Sequence, residues 1–217
     1  MGIFEPPVKN VIDINEWKTP ATDYPEKEVG SARIKRIKYK KGCYHNYKVR
    51  EYEYFVVKKP IPITTLEIAD DNDSGKWKTW MVDDPPHLWS MQDYATNSVG
   101  RVLIAGLGLG LVTHELLKNV DVDSITIIEH NKDVIDLISS LLPECDGTAL
   151  EIINEDFYKF INETNEKFDR IIIDLWVTGS AEETLKVLNE EVIPFAHYIK
   201  KLFPDASIVF HGFGIGW

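Results

Sequence analysis

The residues with the most chemistry to offer stand at the ends of short apolar runs. RVLIAGLGLGL, residues 101–111, breaks into glycines at alternate positions, Gly106, Gly108 and Gly110, with Leu107 between the first two. Bare backbone at the end of a strand lets a ligand touch the chain directly. The helix N-terminus that follows offers free N–H groups, so together they make a nucleotide site. Glu129 closes ITIIEHN, roughly 20 residues further on, where an acid can accept both ribose hydroxyls. An exposed acid after a strand is the plainer reading, but ligands in open α/β sheets sit outside these strand ends. His130 comes next and either edges a base or is simply loop. NEDFYKF places Asp156 and Phe157 after a third run, and an aspartate there also suits the cap of a following helix. FDRIIIDLW ends a fourth run in Asp174. That carboxylate is a candidate catalytic group, or is a loop acid at the sheet end.

Competing nucleotide patterns are weaker. A phosphate loop of the Walker type needs Gly-Lys-Ser/Thr, whereas Leu111, Val112 and Thr113 follow Gly110. The dinucleotide fingerprint G-x-G-x-x-G/A would put Leu111 at its third small position, too bulky for close helix–strand packing. The remaining pattern is G-x-G-x-G. No Ser/His/Asp or Cys/His set suggests a covalent nucleophile. The histidines (His45, His87, His114, His130, His197 and His211) show no metal-binding spacing, so no metal site is expected.

Two kinds of element must position these residues. From residue 101, apolar runs at 102–105, 125–128, 150–153, 170–173 and 207–210 alternate with candidate helices at 110–119, 131–142, 155–162 and 181–203. Such runs are buried on both faces, which predicts an α/β domain with a Rossmann-like parallel sheet over residues 99–217. Asn131 is placed to cap the second helix, and Ser180 with Glu183 forms a capping-box pattern for the last. Leu185, Leu188, Val192, Phe195, Ile199 and Leu202 fall on one face of that helix, and Pro194 should kink it. Residues 1–98 read as a proline- and acid-rich arm, 1–30, followed by a small β-rich unit. There Pro85 and Pro86 end a strand, and LWSMQDYATNS forms a short helix.

Composition sets outer limits. The 217 residues include 24 lysines and arginines against 35 acids, a formal net charge of −11 that argues against general polyanion binding. Residues 33–50 run against that trend, with Arg33, Lys35, Arg36, Lys38, Lys40, Lys41, Lys48 and Arg50 and no acid. A solvated edge strand accounts for this run, and a docking strip for an anionic partner such as RNA or DNA is the sharper reading. There is no apolar run long enough for a transmembrane helix and no secretory signal. Cys43 and Cys145 are isolated, which fits a reducing cytoplasm. A homo-oligomer remains open.

AGLGLG followed by Glu129, Asp156 and Asp174 resembles the motif order of class I S-adenosylmethionine-dependent methyltransferases and of the related spermidine synthases. The likeness covers about residues 99–211. It implies S-adenosylmethionine as cofactor, bound at Gly106, Leu107, Gly108, Gly110, Glu129, His130, Asp156 and Phe157. Asp156 would then meet the adenine amino group, Phe157 would cover the ring, and Asp174 would lie beside the transferred group, placed to orient or deprotonate an acceptor amine. It also implies a sheet order of 3-2-1-4-5. The β unit before the glycines resembles the spermidine synthase arrangement. WMVDDPP and Asp174-Leu175-Trp176 are similar to a group of short methyltransferase-like proteins of phages and prokaryotes. Three departures stand out: Ala105 replaces the usual acid before the first glycine, the acidic stretches that bind diamines in polyamine synthases are absent, and the final hairpin of the sheet is missing. Asp83 or Asp84 is a candidate replacement for that acid. The resulting expectation is a methyltransferase of unknown acceptor. The alternatives are a catalytically inactive binding or assembly module and an aminopropyltransferase.

Overall fold

The computed structural model describes residues 11–46, 53–70, 75–144, 147–213 and 215–216. Cys145, Lys48 and Arg50 lie outside them. The N-terminal part is less of an arm than its prolines suggest. Strand β1 (Val11–Ile14), a 3₁₀ turn over Pro20–Asp23 and strand β2 (Lys27–Val29) precede β3 (Ala32–Tyr39), β4 (Gly42–His45), β5 (Tyr54–Val57), β6 (Ile61–Ala69) and β7 (Trp77–Val82). These strands form two small sheets, ordered β1-β5-β4 and β2-β3-β6-β7.

The basic run is not wholly an edge. Ala32 to Ile34 sit between β2 and β6, because β2 spans three residues, while Lys35 to Tyr39 pair with β6 alone. Several of its cations are engaged within the chain. Arg33 reaches Glu67 at 2.6 Å and lies over the Trp77 ring, Lys35 approaches Glu26, and Arg36 donates to the Tyr24 carbonyl.

Pro85 and Pro86 do not merely end a strand. They open helix α1 (Pro85–Thr96), where a missing N–H costs nothing, and the Asp84 carboxylate caps it by accepting the His87 N–H. The nucleotide domain follows as β8 (Gly100–Ala105), α2 (Leu111–Leu116), β9 (Val122–Glu129), α3 (Lys132–Ile138), β10 (Ala149–Asn154), α4 (Phe157–Glu163), β11 (Arg170–Ile173), α5 (Ala181–Val187), α6 (Ile193–Leu202), β12 (Ser207–Phe210) and β13 (Ile215–Gly216). The order is β10-β9-β8-β11-β12-β13. The first five are parallel in the expected 3-2-1-4-5 arrangement, and central β8, β9 and β11 bury their apolar runs. Edge strand β10 alternates instead. The missing hairpin needs correction: β13 pairs antiparallel with β12, Phe210 with Ile215 and Val209 with Gly216, so a sixth short strand covers that edge.

The last helix also departs from expectation. Ser180 Oγ accepts the Glu183 N–H, but Glu183 returns its carboxylate to the Gly179 N–H. Pro194 produces no simple kink; residues Leu188–Val192 widen into a π turn between α5 and α6, which places the proline in the first turn of α6. Val192, Phe195 and Ile199 are buried, whereas Leu185 and Leu202 are exposed. Ala21, Tyr24, Ala32, Ile34 and Leu66 of the N-terminal part pack into one core with Leu107, Leu111 and Ile127 of the nucleotide domain.

Candidate functional site

The C-terminal ends of β8, β9, β10 and β11 open on one cleft. Its larger part, about 330 Å³, is lined by Gly106, Gly108, Glu129, Asp174, His87 and His211 among others. A second part, about 220 Å³, continues past Glu129 to His130, Asp156 and Phe157. Trp80, Leu175 and Trp176 line both.

The glycine turn is shaped by what it touches. Gly106 has φ +94°, and a Cβ there would stand 2.8 Å from the Asp174 carbonyl oxygen. Bare backbone at this point lets the ends of β8 and β11 close together. At Gly108 a Cβ would run into the Met81 thioether, whose Sδ accepts the Leu109 N–H at 3.0 Å. The Met81 of WMVDDPP thus brings strand β7 onto the turn. Gly110 caps α2, and the space of its absent side chain faces Ile138 and Leu142, not the cleft. Leu107 is buried in the core and offers only backbone.

Glu129 is buried at the end of β9 and fixed by two backbone donors: Leu107 N–H at 2.9 Å to Oε2 and Asn131 N–H at 2.8 Å to Oε1. Each oxygen retains a lone pair for a hydroxyl donor. His130 Nδ1 lies 3.3 Å from Oε1. Asp156 caps α4, accepting the Lys159 N–H at 2.9 Å, and still borders the cleft. Phe157 is buried beside Phe195 at that end.

Asp174 stands at the opposite end. Its N–H donates to the Ala105 carbonyl at 3.1 Å, extending the β11–β8 pairing. Burial raises its pKa, and the nearby His211 imidazole opposes that shift. His211 follows β12, its N–H bonded to the Ile173 carbonyl at 2.8 Å and its Nδ1 3.2 Å from the Tyr94 hydroxyl. Burial pushes the Tyr94 pKa up to about 12, so the phenol keeps its proton at neutral pH. His87 packs against His211, ring centroids 4.6 Å apart. Burial, with His211 adding to it, holds His87 neutral well below the usual imidazole range. Its Nε2 is shielded and has no hydrogen-bond partner among the described residues. Spacing along the chain gave no sign of this meeting. His87 comes from the first turn of α1 and His211 from a strand end, and only the docking of α1 on the sheet joins them.

Two sequence expectations fail here. Asp83 and Asp84 do not replace the acid missing at Ala105. Asp83 is buried, accepting from the Thr19 hydroxyl at 2.5 Å and the Thr64 N–H at 2.6 Å, and Asp84 is spent on the α1 cap. Ala105 itself is fully buried between Ile128 and Ile173.

Comparison with known proteins gives this geometry a family. Over 84 residues the chain is 37% identical to the polyamine aminopropyltransferase of Sulfurisphaera tokodaii, a match covering 36% of this chain and 28% of that protein. Over 121 residues it is 31% identical to the polyamine aminopropyltransferase of Korarchaeum cryptofilum, covering 53% of this chain and 36% of the relative. The chain therefore spans only about a third of these curated relatives. A structural likeness to a dimethyladenosine transferase from Plasmodium falciparum has 20% identity and a TM-score of 0.34, covering 50% of this chain and 38% of that one, and by itself is too low to establish a shared fold. The spermine/spermidine synthase domain matches residues 88–211, which hold α1 beyond its first turn, the glycine turn, Glu129, Asp156, Asp174 and His211. With more than half of its length inside that match, the chain belongs to the spermine/spermidine synthase domain family.

Proposed function

We propose that the chain is a transferase acting on a sulfonium nucleoside, and that it moves the aminopropyl group of decarboxylated S-adenosylmethionine to an amine. The reading shifts from methyl to aminopropyl transfer on one observation. Among the described residues, both parts of the cleft are lined by carboxylates and histidines and by no lysine or arginine. The methionine tail of S-adenosylmethionine carries a carboxylate that needs positive partners. The decarboxylated tail carries only an ammonium, which Asp174 suits. Two N–H groups of the glycine turn are already committed, Leu107 to Glu129 and Leu109 to Met81. The naming of the relatives as polyamine aminopropyltransferases supports the same reading.

In this reading Glu129 accepts the ribose hydroxyls, while Asp156 and Phe157 flank the base. The amine nitrogen lone pair attacks the aminopropyl carbon bonded to sulfur. That carbon–sulfur bond breaks, its electrons return to sulfur, and methylthioadenosine leaves as a neutral thioether. The new secondary ammonium gives up a proton, for which Asp174 at the β11 end of the cleft is the candidate acceptor. Alignment supplies most of the acceleration, because the sulfonium is already activated to leave as a neutral thioether.

The test is calorimetry with decarboxylated S-adenosylmethionine, S-adenosylmethionine and S-adenosylhomocysteine. It is paired with mass spectrometry for methylthioadenosine in the presence of putrescine and longer amines. Tighter binding of the decarboxylated nucleoside and release of methylthioadenosine are expected. Asp174→Asn should weaken binding of the decarboxylated nucleoside and lower turnover about 100-fold or more, while methylthioadenosine, which lacks the ammonium tail, binds as before. Preference for S-adenosylmethionine with release of S-adenosylhomocysteine would restore methyl transfer. No binding of any of them by folded protein would leave a non-catalytic binding module.

A further inference from the structure

We propose that His87, Asp174 and His211 form a site for one divalent first-row transition-metal ion, and that the ion competes with the cationic tail of the nucleoside for Asp174. One ligand atom from each residue lies within 4.8 Å of the others. Bonds of about 2.1 Å set tetrahedral ligands roughly 3.4 Å apart, so the three atoms already stand near the spacing that a bound ion requires. Two imidazoles and a carboxylate suit zinc, iron(II), cobalt or nickel, and suit magnesium or calcium poorly because those ions take oxygen.

The ligands are held as a built site would hold them. The His87 N–H is tied to Asp84, the Asp174 N–H to Ala105 and the His211 N–H to Ile173. The Tyr94 hydroxyl meets His211 Nδ1, which orients the ring and leaves Nε2 to bind. Tyr94 lies on the same helix that carries His87, so α1 provides one ligand and orients another. The second observation is His87 Nε2, shielded and without a hydrogen-bond partner among the described residues, on a side chain that borders the cleft. A buried nitrogen without a partner is costly, and a metal ion removes that cost. Three protein ligands leave further coordination positions toward the cleft.

The metal site stands on the cluster alone, while the competition rests on the aminopropyl reading. Chelator-treated, dialysed protein is titrated with cobalt(II), followed by its visible absorption and by elemental analysis of the retained metal. One cobalt per chain, displaceable by zinc, is expected. His87→Ala and His211→Ala should each weaken binding at least tenfold. Tyr94→Phe, which keeps all three ligands, should weaken it about tenfold. His197→Ala, on the exposed face of α6, should change nothing. Circular dichroism checks that each variant folds. Absence of cobalt binding to the wild type, or undiminished affinity in the folded histidine variants, overturns the site. Decarboxylated S-adenosylmethionine should raise the apparent cobalt dissociation constant in proportion to its concentration. A nucleoside that binds beside cobalt without weakening it overturns the competition. A nucleoside that fails to bind at all counts against the aminopropyl reading and leaves the cobalt result standing.

Discussion

Single carboxylates carry opposite duties in this protein. Burial, reinforced by the neighbouring Asp83, raises the Asp84 pKa to about 6. Between an ordinary aspartate pKa near 4 and that value, the folded chain keeps a proton the unfolded chain has lost. Folding stability must therefore fall as pH rises across that window. Asp84→Asn retains a good helix cap and removes the titration. It should stabilise the protein at pH 7 by on the order of 1–3 kcal/mol and leave it nearly unchanged at pH 4, as read from denaturant unfolding at both pH values. Glu129 behaves differently, being satisfied by two N–H donors. Glu129→Gln turns an amide hydrogen toward one of them and removes a charged acceptor from the ribose. Nucleoside affinity should drop about 10- to 100-fold by calorimetry, with a lower melting temperature. Glu129 and Asp174 were legible in the sequence because each ends an apolar run, and strand ends are where ligands sit. His87 and His211 were not legible, because their meeting depends on how α1 docks.

Elements explain what the glycines do better than their motif does. Three glycines in a row of alternating leucines suggest three contacts to a ligand. Gly106 and Gly108 do border the cleft, but each also makes room within the fold, Gly106 for the Asp174 backbone and Gly108 for Met81, while Gly110 admits Leu142 of the α3 side. Gly106→Ala should destabilise the fold by about 1–3 kcal/mol through its φ of +94° and the 2.8 Å approach to Asp174. It should also impair turnover by pushing Asp174 outward, which parallel unfolding and product-release measurements separate. The expected strand order held, and it came from the resemblance: the apolar runs mark a sheet covered on both faces but do not fix the order of its strands. Boundaries were harder to read at Pro194. Sequence periodicity registers a helix through it, whereas a π turn absorbs the irregularity just before it.

At the scale of the whole molecule, the N-terminal strands and the nucleotide domain each have a core cluster of their own and share a third. Ile34 and Leu66 share a cluster with Leu111 and Ile127. Trp17 donates to the Asp83 carbonyl at 2.8 Å, fastening the chain ahead of the β unit to the start of α1. Heating should therefore give one calorimetric transition, and a truncation that removes residues 11–84 should fail to fold cooperatively. The sequence divides at residue 98 by its change of pattern, but pattern records backbone periodicity and not which surfaces are buried together. The join has an optical consequence. Trp80 comes from the N-terminal strands and Trp176 from the nucleotide domain, and they face the same cleft. A ligand entering there must change the surroundings of both indoles at once. Intrinsic fluorescence should respond to it without any dye, and Trp80→Phe and Trp176→Phe would divide the signal between the two walls.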